Sequence, residues 1–336
     1  MRWICVCIAF ALLYIRSADA EIVGGYVMPH GGIALNPSRF DPPSRWAKQS
    51  AWKLHKASVD VGKHIRSLAP DVIFLSTPHG VADLSRFVFY QNRRANGSAE
   101  TDNCQCPPCC YDVEVKINAN LTKQMIRYLE GMKHNVSGLS FFGPPGKGFE
   151  PAVLRWGEVI PLTFVKDTTK SKLLFLSQPS KRYEESVSMI PELLSLGRSL
   201  YKFLDLLPFK VVIIISADLA HTHDPKGPYG YSKDAEPFDL NCGNWAKTLH
   251  PHYLLTEAAK YAPNAMSCGY TGLVMLHGML DQSGLSNWIP VLHANYHPSY
   301  YGMMVASFTR KPNTNTIDNN SKSRIFLGDN NQHFLP

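Results

Sequence analysis

Three histidines stand where an apolar run gives out. His30 closes GGYVMPHGG, His79 closes DVIFLSTPHG, and His221 follows KVVIIISADLA. An imidazole is neutral or charged near pH 7 depending on small changes around it, and in its neutral form it is the commonest metal ligand. In open α/β sheets, ligands gather outside the carboxyl ends of the strands, so histidines at three strand exits converge on one edge. A glycine after His30 and another after His79 would let the backbone turn sharply and approach a ligand closely. Two imidazoles with an open coordination face suit Fe(II), Zn(II) or Mn(II). The assignment is therefore His30 and His79 as metal ligands and His221 as the acid/base group. His223 is able to exchange roles with His221, which lies closer to its strand.

The elements that must deliver these side chains follow from periodicity. Strands are expected at Ile22–Pro29, Asp71–Thr77, Val159–Val165, Lys172–Leu176, Lys210–Ser216 and Met303–Phe308, with helical spacing over Ser44–Leu68, Tyr183–Leu207, Trp245–Tyr261 and Thr271–Leu280. Alternation of the two predicts a three-layer α/β/α fold with a mostly parallel or mixed central sheet and the site at the carboxyl ends of its strands. Residues 91–125 read as a polar, cysteine-rich insert in a single domain over 21–310, and the Asn-rich tail 311–336 reads as disordered. The glycines of FFGPPGKGFE lack phosphate-loop spacing and read as a turn.

With 336 residues, 45% hydrophobic and 18% charged, the chain supports a sizeable core. Its net charge of +7 is dispersed, and the short groups Arg93-Arg94 and Lys181-Arg182 read as solvated surface, which argues against nucleic acid as a partner. MRWICVCIAFALLYIRSADA has the form of a signal peptide over residues 1–20, and no later stretch is long enough to span a membrane stably. Sequons at Asn96, Asn120, Asn135 and Asn319 agree with a secreted or luminal glycoprotein. In that compartment Cys104, Cys106, Cys109 and Cys110 of NCQCPPCC read as a local disulfide knot; a structural zinc is the minority reading. Cys242 and Cys268 remain, either joined to each other or with Cys268 free.

MPHGG, STPHG, VIPLTFV and ISADLAHTHDPKGPYGY, in that order, resemble the class III (LigB-type) extradiol ring-cleavage dioxygenases and their Memo-like relatives, over roughly residues 22–308. The resemblance implies an α/β fold holding a non-haem metal, Fe(II) first with Zn or Cu as alternatives. It also implies a small phenolic substrate and O2 as partners, and turnover by ring cleavage beside a hydroxyl-bearing carbon. On it, His30 and His79 match the metal histidines and His221 the acid/base histidine. The triad glutamate of the dioxygenases is absent from NAMSCGYTGLVMLHGML. Cys268 stands where Memo-like proteins carry a metal-ligating cysteine, and thiolate is the softer ligand. A second family histidine is replaced by Arg155-Trp156-Gly157, from which Trp156 is placed to stack on an aromatic ring. HANYHPSYYGMM adds His293, His297, Tyr300 and Tyr301, of which His297 and Tyr300 are pocket candidates beside Trp156 and His223. His252 and His277 read as ordinary helix residues. A secreted Memo-like protein that binds Zn, Cu or Fe without turnover is the alternative function.

Overall fold

The computed structural model describes residues 21–143, 148–166 and 170–311. In chain order the strands are β1 (Glu21–Met28), β2 (Val72–Thr77), β3 (Phe87–Tyr90), β4 (Arg94–Ala99), β5 (Tyr111–Lys116), β6 (Val136–Leu139), β7 (Ala152–Leu154), β8 (Lys172–Ser177), β9 (Lys210–Ser216), β10 (Trp288–Tyr296) and β11 (Met303–Arg310). The helices are α1 (Arg45–Ser67), α2 (Ala119–Gly131), α3 (Trp156–Val165), α4 (Arg182–Glu185), α5 (Ile190–Asp205), α6 (Ala235–Thr248), α7 (Ala259–Ala265) and α8 (Tyr270–Gln282), with a π-helical turn at Tyr253–Ala258 ahead of α7.

Eight strands form one mixed sheet in the order β10-β11-β1-β9-β2-β8-β3-β6. Its centre, β1-β9-β2-β8, is parallel, so the four carboxyl ends lie on one edge. Strand β9 shows why the sequence takes this position: Val211 to Ile215 are β-branched and fully buried, and they face alternate sides. Val211, Ile213 and Ile215 pack into a core with α2, α5, α6 and α8, whereas Val212 and Ile214 pack into a second core with α1 and α3. The expected three-layer α/β/α architecture is the observed one. A three-stranded sheet, β5-β4-β7, joins the α1/α3 layer.

Helix α1 begins where Ser44 accepts the Ala47 N–H at 3.0 Å, and it buries Ala47, Ala51, Leu54, Val61 and Ile65 in one stripe. The long segment expected at Tyr183–Leu207 breaks into α4 and α5, and that at Trp245–Tyr261 is divided among α6, the π-turn and α7.

Three expectations are corrected. Val159–Val165 is helical, the body of α3, because that helix is buried on nearly every side and its apolar run has no polar face to show period. The insert ends before 125: Asn118 caps α2, and Leu121 and Met125 belong to the core. Arg182 is not surface; it is 4% exposed. The signal-peptide reading, Asn319 and the tail beyond Lys311 lie outside the described residues.

Candidate metal centre

His30, His79 and Cys268 meet at the carboxyl edge of the sheet, with one ligating atom from each lying within 4.8 Å of the other two. His30 leaves β1, His79 leaves β2, and Cys268 precedes α8 by two residues. The His79 ring meets the His30 ring edge-on, centroids 4.8 Å apart.

The tautomer of His30 is set from beneath. Pro161 lies in the second turn of α3 and has no N–H to give the Gly157 carbonyl. That carbonyl takes its hydrogen from the Ser216 hydroxyl instead. With its proton so committed, Ser216 Oγ accepts from His30 Nδ1 at 2.9 Å. The lone pair is left on His30 Nε2, which faces Cys268 Sγ at 3.2 Å and Asp218 Oδ2 at 3.4 Å. This is the orienting contact that ligating imidazoles need.

His221 is oriented by its own backbone. Nδ1 donates to the Leu219 carbonyl at 2.8 Å, which leaves Nε2 unprotonated toward the pocket. Burial, with a smaller opposing contribution from that hydrogen bond, lowers its pKa to about 4. Burial, then the nearby Arg182 and His221 charges, hold His79 down to about 3. His30 lies well below the usual imidazole range, chiefly through burial. All three rings are therefore neutral at pH 7, the ligating and base-competent form. Burial, then the neighbouring Asp218, push the Cys268 thiol up.

A pocket of about 280 Å³ opens over His30, His79 and His221 and lies beside a cleft of about 640 Å³, the two sharing His30, Gly32, Asp102 and Trp156. Trp156 and Tyr300 line the pocket as expected, but the ring Trp156 lies against is that of His79, 4.9 Å away. His223 and His297 turn away from the pocket and stack on each other, leaving His221 as the histidine of that segment that faces the pocket. His293 bonds Ser307 at 2.8 Å, and His252 lies 3.2 Å from Glu257, both away from the pocket. His277 accepts from Trp245 Nε1 at 3.1 Å within a helix core. The insert forms Cys104–Cys109 and Cys106–Cys110 bridges, while Cys242 and Cys268 are separate buried thiols. Asn96, Asn120 and Asn135 are exposed.

Sequence reasoning missed several residues. Asp218 is fully buried, accepts the His30 N–H at 3.0 Å, and has its pKa raised to about 8 by burial against those hydrogen bonds. SADLAH placed it three residues before His221, which is the signal that was available. Asp102, from the insert, accepts from Tyr301 OH at 3.3 Å, and Tyr301 lies nearly parallel to His221, 5.8 Å away. Arg182 donates to the carbonyls of Pro78 and Pro179 and so fastens the turn that carries His79. Gly31 and Gly80 are needed for space and not for backbone freedom: Gly31 has φ −70°, and a Cβ there would meet Tyr301 at 2.3 Å. At Gly80 it would meet Tyr90 OH at the same 2.3 Å.

Against known proteins, residues 24–306 match the family described as the catalytic LigB subunit of aromatic ring-opening dioxygenase. The protein CA_C1420 of Clostridium acetobutylicum is 24% identical over 288 residues, 85% of this chain and 58% of that protein, so the chain spans little more than half of that relative. The crystal structure of the uncharacterized protein JW3007 of Escherichia coli K12 is 12% identical, with a TM-score of 0.48 over 85% of this chain and 99% of that one.

Proposed function

Because the chain belongs to the LigB family of aromatic ring-opening dioxygenase catalytic subunits, we propose that it opens the ring of a small catechol-type phenol with O2. In this reading a metal ion is held by His30, His79 and Cys268, and His221 is the acid/base group. The observation that carries it is the pairing of His30 Nε2, freed by Ser216, with an unprotonated His221 Nε2 on the same pocket. The donor set fits a transition metal: two imidazoles and a thiol within 4.8 Å of one another, with a pocket in front of the imidazoles. Bound there, the ion would supply a path for electrons from a coordinated catecholate to O2.

The protein's own groups account for the rest. His221 takes the proton of a substrate hydroxyl and holds it for return to the product, a role suited to an imidazole neutral at pH 7. Trp156, Tyr229 and Tyr300 enclose an aromatic ring, and the pocket of about 280 Å³ fits a single-ring substrate. Arg182 holds His79 in place through Pro78. The reading includes export through an oxidising compartment, supported by the two insert disulfides and the three exposed sequon asparagines.

Cys268 favours a second reading, a metal-binding protein without ring cleavage, because thiolate shifts preference from iron toward zinc or copper. Elemental analysis of the protein purified without chelator, beside the His30→Ala/His79→Ala variant, separates the two. One equivalent of iron, lost in the variant and accompanied by O2 uptake with a catechol, is expected. Zinc or copper lost in the variant, with no O2 uptake, selects the second reading, and equal negligible metal in both rejects each.

A further inference from the structure

A second group of donors collects on the outer side of the segment that carries His221. His223 and His297 lie face to face, their ring centroids 3.9 Å apart and their planes 2° from parallel. Glu236, in the first turn of α6, brings Oε2 to 3.1 Å from His297 Nε2. One ligating atom from each of the three lies within 4.8 Å of the other two, the only such group among the described residues besides His30, His79 and Cys268. Behind them lies Asp239, whose side chain is 7% exposed. Its Oδ2 accepts from His223 Nε2 at 2.8 Å and its Oδ1 from the Ala220 N–H at 2.9 Å.

We propose that His223, His297 and Glu236 form an auxiliary site for a divalent cation of the zinc class, separate from the centre at His30, His79 and Cys268. A carboxylate behind an imidazole is the arrangement that orients ligating histidines. With His223 Nε2 committed as donor to Asp239, its Nδ1 carries the lone pair. Two imidazoles and one carboxylate suit zinc or copper(II) and are too nitrogen-rich for calcium or magnesium. Exposure rises from 5% at His223 to 31% at His297 and 74% at Glu236, so the group has a fixed wall and an open side where water completes the shell. Face-to-face rings have parallel lone pairs, so a shared ion requires His297, the more exposed ring and already beside Glu236, to tilt out of the stack. The ion would tie together two segments that already touch through His223 N–H and the Tyr300 carbonyl at 3.1 Å. Those segments deliver His221, Tyr229, Tyr300 and Tyr301 to the pocket, which makes the ion a brace for its rim.

The test is a count of zinc bound by the full chain, stripped of metal and titrated with Zn(II). Two equivalents are expected in the wild type, and one in each of His297→Ala and Glu236→Gln, or at least a tenfold loss of affinity at one site. Glu236 is exposed, so its variant keeps the test open if the histidine variant does not fold. Co(II) separates the sites: thiolate-to-metal absorption reports Cys268, and it should keep its intensity while the second equivalent disappears. One equivalent that vanishes in His297→Ala but persists in His30→Ala/His79→Ala upholds the auxiliary site and rejects the other centre. An unchanged count and affinity in both His297→Ala and Glu236→Gln overturn the proposal, as does a wild-type count of one that is lost only in His30→Ala/His79→Ala.

Discussion

At the scale of single residues, His30 and His221 each commit one ring nitrogen to a hydrogen bond so that the other is free. His221 gives Nδ1–H to Leu219 and keeps Nε2 open. His221→Asn should retain metal at the wild-type level and lose turnover by at least about 10²-fold, measured as O2 uptake beside metal content. Unchanged turnover would remove it as the acid/base group. A base is active when unprotonated, so with the pKa held to about 4 the acid limb of wild-type activity should fall near that pH and not near 6.5. His30, His79 and His221 were legible in the sequence because each follows a strand whose apolar run is unmistakable. Asp218 was not, because its significance rests on burial against His30, and burial of a carboxylate is invisible in sequence. His223 was misplaced for a related reason: residues two apart at an irregular strand exit can face opposite ways, and His297 follows it by stacking on its ring.

At the scale of elements, α3 is the least legible and among the most consequential. VIPLTFV has the apolar, β-branched look of a strand, and the helix declares itself only through the pairing of Arg155 N–H with the Glu158 carboxylate at its start. Its proline removes the N–H that would otherwise claim the Gly157 carbonyl. Pro161→Ala restores that donor, sets it in competition with Ser216, and should loosen His30. We expect about a tenfold fall in metal affinity with the fold intact by circular dichroism; an unchanged affinity would show that Ser216 holds His30 without help from the proline. The α6–α8 contact carries a pH signature. Burial lowers His277 to about 4 from the usual 6.5, and it accepts from Trp245 in its neutral form. Between pH 6.5 and 4 the unfolded chain therefore binds a proton that the fold excludes. Stability falls as pH drops through that window, by up to about 3 kcal/mol. His277→Gln keeps an acceptor for Trp245 and should flatten this part of the profile in urea unfolding; an equally steep variant would place the effect elsewhere.

At the scale of the molecule, the three grouped donors come from two strand ends of the main sheet and the turn before α8, and the outer wall of the cleft comes from the insert. Cys106 and Cys110 line that wall. Cys106→Ser/Cys110→Ser should leave metal content unchanged and raise KM several-fold with little change in kcat, and a loss of metal instead would mean that the insert supports the ligands. The parallel centre was readable from its apolar strands. The strands β3 to β7 and β10 were not, because they are short, partly polar, or at an edge. Completion of the site waits on almost the whole polypeptide. His30 and Cys268 are 238 residues apart, and β1 lies between β9 and β11, so the first strand has no partner until Lys210–Ser216 exists and its other edge stays open until Met303–Arg310 follows. Such distant pairing is slow to form. Until that pairing is made, His30 and His79 are isolated imidazoles with neither the Cys268 thiol nor the pocket beside them. The three-donor group therefore does not exist until β1 and β2 have met β9 and the turn before α8 has closed against them.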